Sequence, residues 1–138
     1  MRISEHVYLV GSEQFALSHP LDGNCYMIDG GSALALVDTG LGLGVDDIIA
    51  NVESAGFDPK KLTHVLITHA HAGHWGGAAA IRERTGAEVW APAEHQNYLI
   101  NPLEEPGIRV NVQFGRYPPG FEMQPCPPNH TFGDGDRI

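Results

Sequence analysis

The sequence predicts an α/β fold, in the α+β sense of a mixed sheet with flanking helices. Short apolar, β-branched runs fill the first third of the chain, with a glycine-paired turn between two of them. A strand, loop, helix, strand order follows between Leu62 and Ala91. The ending, Thr131 to Ile138, reads as a turn that delivers the opening residues of a further strand, so residues 1–138 are expected to form a single domain cut short at its C-terminal end.

The expected strands begin with Val7-Tyr8-Leu9-Val10, then Cys25-Tyr26-Met27-Ile28 and Ala33-Leu34-Ala35-Leu36-Val37. The last two are joined through Asp29-Gly30-Gly31-Ser32, where glycines supply the positive φ of a tight hairpin. Strand three stops at Asp38-Thr39-Gly40, and Leu41 to Gly44 is loop. A helix over Asp46 to Ala55 carries Ile48, Ile49 and Val52 on one face, with Gly56 as its C-terminal stop. The run His64-Val65-Leu66-Ile67-Thr68 predicts a strand buried on both faces. A second helix is expected from near Gly76 to Gly86, with Ile81 inward and Arg82, Glu83 and Arg84 towards water, and Ala87 to Ala91 is the next strand. Pro92 opens a short helix reaching about Ile100. Prolines and glycines crowd the stretch from Asn101 to Pro128, which predicts a long irregular loop. There is no internal repeat.

With 42% hydrophobic residues and a mean hydropathy of -0.17, the composition is that of a soluble globular domain. No run approaches the roughly 18 apolar residues of a membrane helix, and the polar start lacks a signal-peptide core, so no membrane association and a cytoplasmic location are expected. The net charge of -9, from 17 acidic and 8 basic residues without a basic stripe, argues against nucleic acid as a partner. Cys25 and Cys126 match no metal or redox spacing and read as free thiols without a catalytic role.

Chemistry concentrates in Thr68-His69-Ala70-His71-Ala72-Gly73-His74-Trp75-Gly76-Gly77. Three imidazoles lie where a strand ends and a helix begins, the place where open α/β sheets put ligands. Alternate residues of an extended segment point the same way, so His69 and His71 can grip one ion, and the helix N-terminus disfavours the imidazolium form. A lone histidine is more often a satisfied surface group, but here small residues (Ala70, Ala72, Gly73) clear space around a point of convergence.

This segment resembles the T-H-x-H-x-D-H-x-G-G signature of the metallo-β-lactamase superfamily, differing at one fixed position. Asp38-Thr39-Gly40 after the hairpin, Gly23-Asn24 before strand two and the closing Gly133-Asp134-Gly135-Asp136 sit where the first half of that family has similar features. The resemblance implies the N-terminal half of an αββα sandwich and a metal-dependent hydrolase acting on an ester, thioester, lactone or similar bond of a small-molecule substrate. It implies zinc bound by His69, His71 and His74, the first two at one site and His74 towards a second. Asp38 would hydrogen-bond beside the metal and hold the loop, with His74 handling protons in catalysis.

Two departures shape the expectation. Gly73 replaces the aspartate that binds a second metal, so one ion is expected rather than two, and Gly73→Asp should raise activity or metal stoichiometry. The family's remaining ligands correspond to positions past residue 138, and His130 precedes Phe132-Gly133-Asp134, on the wrong side of that strand to be one of them. Iron, nickel or copper also accept imidazole ligands. The competing reading is a non-catalytic binding or regulatory domain that has lost full metal binding. An open sheet face would pair with a second copy or with the missing half. Trp75 and Trp90 read as core or rim, His6, His19, His64 and His95 lack ligand-like company, and Tyr117 and Phe121 are weak candidates for a substrate cleft.

Overall fold

The computed structural model describes residues 1–138. Six strands form one mixed sheet in chain order: β1 (Val7–Gly11), β2 (Cys25–Asp29), β3 (Leu34–Val37), β4 (Leu62–Leu66), β5 (Glu88–Pro92) and β6 (His130–Phe132). The first three run antiparallel as a meander, and β3 to β6 pair in parallel. The hairpin between β2 and β3 forms as expected, with Gly31 at φ 80° and its N–H donating to Asp29 Oδ1 at 2.9 Å. Parallel pairing obliges the chain to cross over between strands, and the crossover helices cover one face of the sheet.

Those helices are α1 (Val45–Ser54), between β3 and β4, and α2 (Ala72–Trp75) with α3 (Ala78–Thr85), between β4 and β5. In α1, Ile48 and Val52 are buried and Ile49 is partly so, and Gly56 follows the helix at φ 93°. The helix expected from Gly76 instead starts at Ala78, because the histidine segment forms its own short turn, α2. Gly86 ends α3 in the left-handed conformation, and Ile81 is fully buried. No helix is long and apolar enough to cross a membrane.

Register shows where the core sits. Met27, Leu36, Val65 and Val89 are paired in a row across β2, β3, β4 and β5, and each is fully buried beneath the helices. Each such side chain contributes roughly 1.5–3 kcal/mol relative to an exposed position. The next row, Tyr26, Val37, Leu66, Trp90 and His130, points to the other face and stays half-buried or exposed. The expectation that β4 is buried on both faces is therefore corrected: His64 and Leu66 are only half-buried because the helices cover a single side.

The proline-rich stretch is also corrected. The short helix expected from Pro92 to about Ile100 forms before it, as a 3-10 turn at Ala93–His95 followed by α4 (Gln96–Ile100), and within the stretch itself lies α5 (Pro106–Gln113), with the segment from Phe114 to Asn129 irregular. Pro106 occupies the first helical position, where a missing N–H costs nothing, and the Glu105 carboxylate caps the helix by accepting from the Ile108 N–H at 2.6 Å. The proline that looked like a breaker is a helix start.

Candidate metal centre

The site lies at the C-terminal ends of β3 and β4. Thr68-His69-Ala70 leaves β4 as extended chain, His71 turns into α2 with φ -68° and ψ 138°, and His74 lies within α2. Trp75, completely buried, ties this segment down by donating its indole N–H to the Ala70 carbonyl at 2.9 Å. Its role is in the core. The two glycines after it permit backbone contact with the opposite loop: a Cβ at Gly76 would lie 2.0 Å from the Leu41 carbonyl oxygen, and one at Gly77 2.3 Å from that of Thr39. The Thr39 N–H donates to the His74 carbonyl at 2.7 Å, which joins the loop after β3 to α2.

Asp38 is the hub. It ends β3 with φ 61°, a left-handed conformation that aspartate tolerates better than most residues, and it is 3% exposed. Its Oδ1 accepts the Thr68 N–H at 2.8 Å; its Oδ2 accepts the Thr68 hydroxyl at 2.7 Å and faces His74 Nδ1 at 2.8 Å. These partners stand 30 and 36 residues away in sequence.

The network assigns the imidazole protons. A carboxylate only accepts, so His74 carries a proton on Nδ1, and the neutral ring in that tautomer presents a bare lone pair on Nε2. The Thr68 hydroxyl spends its single proton on Asp38, so it accepts from His69 Nδ1 at 2.8 Å, and His69 Nε2 is bare as well. Donor atoms of Asp38, His69 and His74 lie within 4.8 Å of one another. Because both Asp38 oxygens are committed to hydrogen bonds, we read Asp38 as the group that orients the imidazoles rather than as a ligand. His71 falls outside that tight group; it is exposed, with its ring 4.8 Å from that of His69, while the His74 ring is 4.1 Å from His69.

Burial, then the neighbouring His74 and His71, push the His69 pKa below its ordinary 6.5, outweighing the opposite pull of Asp38. The shift favours the neutral form of His69, the one that ligates metal. Neutral imidazoles with hydrogen-bonded second nitrogens suit a zinc-type cation, so the residues present fit such an ion.

Other histidines lie elsewhere. His130 bonds to Glu88 and stacks on Trp90 at 4.1 Å on the open face, and His64 stacks on the same indole at 5.9 Å. Trp90, expected in the core or at its rim, is half-buried between them. His95, expected to lack relevant company, is close enough for its charge to lower the His69 pKa, and its Nδ1 is buried without a partner. Tyr117 and Phe121 pack edge to face at 5.0 Å against the margin of the core. Sequence reasoning missed the hydroxyl role of Thr68, although its place beside His69 was a signal. It also missed the buried Asp22, whose bond from the Leu41 N–H, 19 residues on, no local pattern reveals.

Solved structures share this architecture. The chain superposes on a HARLDQ-motif mutant of a metallo-beta-lactamase from Cronobacter sakazakii with a TM-score of 0.79, at 21% identity, over 99% of this chain and 48% of that one. A class B3 di-zinc metallo-beta-lactamase from an Alaskan soil metagenome matches with a TM-score of 0.74, at 27% identity, over 99% of this chain and 46% of that one. Among curated proteins, a UPF0173 metal-dependent hydrolase from Thermococcus onnurineus is 33% identical over 95 residues, 66% of this chain and 42% of its own length. A hydroxyacylglutathione hydrolase from Albidiferax ferrireducens is 44% identical over 50 residues, 36% of this chain and 17% of its own. The chain thus spans less than half the length of these relatives. A family model of the metallo-beta-lactamase superfamily matches residues 19–138. That match covers most of the chain, including Asp38 and the histidine segment, and this chain belongs to the metallo-beta-lactamase superfamily.

Proposed function

We propose that the protein is a metal-dependent hydrolase in which His69, His71 and His74 present imidazoles to one zinc ion and Asp38 positions them. The observation that carries this reading is the hydrogen-bond network running from Asp38 directly to His74 and through Thr68 to His69, which leaves both Nε2 lone pairs bare. When bound, the ion supplies the Lewis acidity that activates water and offsets charge developing on a carbonyl or phosphoryl oxygen. Around it, Thr68 and Asp38 hold two rings in one tautomer, so no proton has to leave either Nε2 before it can act. Position 73 offers no carboxylate to orient the attacking water, and proton handling falls to the His74–Asp38 pair, which shares the proton on Nδ1, the ring atom turned away from the ion.

The substrate class in this reading is a small ester, thioester or lactone, in keeping with the hydroxyacylglutathione hydrolases among the relatives. The net charge of -9 makes nucleic acid an unsuitable partner, and a cytoplasmic setting suits the two unpaired cysteines. The uncovered row of Tyr26, Val37, Leu66 and Trp90 suits pairing with a second copy or with the remainder of a longer chain. Gly73 favours one rival, a binding or regulatory domain that retains the fold without turnover.

The test is metal content after purification without added metal, beside a His69→Ala, His71→Ala double variant, followed by an ester and lactone screen. About one zinc per chain, lost in the variant and accompanied by turnover, is expected. Zinc without turnover moves the assignment to the binding domain, and no metal in either protein overturns the reading.

A further inference from the structure

Gly73 is more than a lost ligand. The Gly23 N–H donates to the Gly73 carbonyl at 2.8 Å, and a Cβ built on Gly73 would stand 2.9 Å from the Leu21 carbonyl oxygen and 3.4 Å from Gly23 N. A Cβ does not approach an oxygen as closely as the first of these distances, and the obstacle is backbone, which cannot swing aside as a side chain can. The same peptide lies flat on the site: a Cβ on Gly23 would fall between 2.7 and 3.0 Å from three atoms of the His74 ring.

What holds this strap in place is Asp22, a 4% exposed carboxylate. Its Oδ1 accepts the Leu41 N–H at 2.8 Å and its Oδ2 the His19 N–H at 3.0 Å, while its own N–H donates to the His19 carbonyl at 2.9 Å. Room for the carboxylate depends on Gly40 and Gly44, where an added Cβ would meet it at 2.5 and 2.3 Å. Leu21 is thereby clamped from both sides, through Asp22 to the loop after β3 and through Gly23 to α2. To admit any side chain at position 73, the strap must give up some of these bonds.

We propose that the strap His19–Gly23, pinned by Asp22, occupies the space that a side chain at position 73 needs. Gly73 is then a packing requirement, Asp22 is the positioning residue of the strap, and the centre is built for a single ion. On this ground Gly73→Asp leaves the ion count unchanged, against the expectation that it raises activity or metal stoichiometry. The ion count rests on the reading of His69, His71 and His74 as donors, whereas the packing does not.

Thermal midpoints of metal-free protein, with zinc counts after equilibrium loading, test both parts. In an unobstructed helical position Gly→Ala raises stability; here Gly73→Ala should lower the midpoint by roughly 3–8 °C. Gly73→Asp should lower it at least as far and leave the count at about one zinc. Asp22→Asn, by loosening the strap, should shrink the Gly73→Ala loss when the two are combined. A neutral or raised midpoint for Gly73→Ala, or two zinc ions in Gly73→Asp at an unchanged midpoint, overturns the proposal. A parent that takes up no zinc while Gly73→Ala still loses its midpoint supports the strap and retires the ion reading alone.

Discussion

Replacing Asp38 with asparagine should cripple ion binding without dismantling the loop. Asparagine tolerates the φ of 61° at this position as well as aspartate does, so the backbone at the end of β3 is spared. One side-chain oxygen remains to accept the Thr68 N–H. The other atom becomes an NH₂ group, which faces His74 Nδ1 at 2.8 Å and can only donate. His74 must then accept at Nδ1 and carry its proton on Nε2, the nitrogen meant for the ion. Drawing the ring back to the ligating tautomer breaks that new bond. Loss of such an orienting partner typically weakens metal affinity 10–100-fold, about 1.4–2.7 kcal/mol. Stability falls as well, since bonds to a charged acceptor, each about 1.5–3 kcal/mol, become neutral ones of about 0.5–1.5 kcal/mol. Competitive zinc titration against a chelator measures the first effect, thermal unfolding the second, and ¹⁵N chemical shifts of the His74 ring the tautomer. Zinc affinity within twofold of the parent, with Nδ1 of His74 still protonated, would refute the reasoning.

Three further outcomes are expected. Burial, reinforced by Asp22 and Asp38, raises the Cys25 pKa well above its usual 9.0, so as pH climbs past that value the unfolded thiol ionises, the folded one does not, and stability falls; a thiol reagent should label neither Cys25 nor Cys126 until the protein unfolds, and labelling at the native rate of an exposed cysteine would contradict it. The lowered His69 pKa has the opposite window: below pH 6.5 the unfolded state binds the extra proton first, so stability drops with falling pH until the folded value is passed and then levels, and His69→Gln should flatten that slope in acid unfolding curves. Leu36→Ala, in the sealed row between Met27 and Val65, should cost about 2–5 kcal/mol in denaturant unfolding, far more than Val37→Ala on the open face.

Local chemistry alone determined a large part of this protein. Glycines mark the hairpin before Leu34 and the end of α3, apolar periodicity marks β1 to β5 and α1, and three imidazoles within one short segment mark the centre, because each signal is carried by residues a few positions apart. Where the local signal is ambiguous the reading failed. Pro106 breaks a helix or starts one depending on a capping carboxylate that only the fold can offer, and the burial of β4 depends on which side the helices take. Tertiary structure alone decided which ring nitrogens of His69 and His74 are hydrogen-bonded, that Asp38 reaches His74 directly and His69 through Thr68 across thirty or more residues of chain, and that the Leu21 carbonyl lies beside Gly73. Hydrogen bonds and close contacts of this kind act through space between segments joined by long loops, and no periodicity along the chain records them.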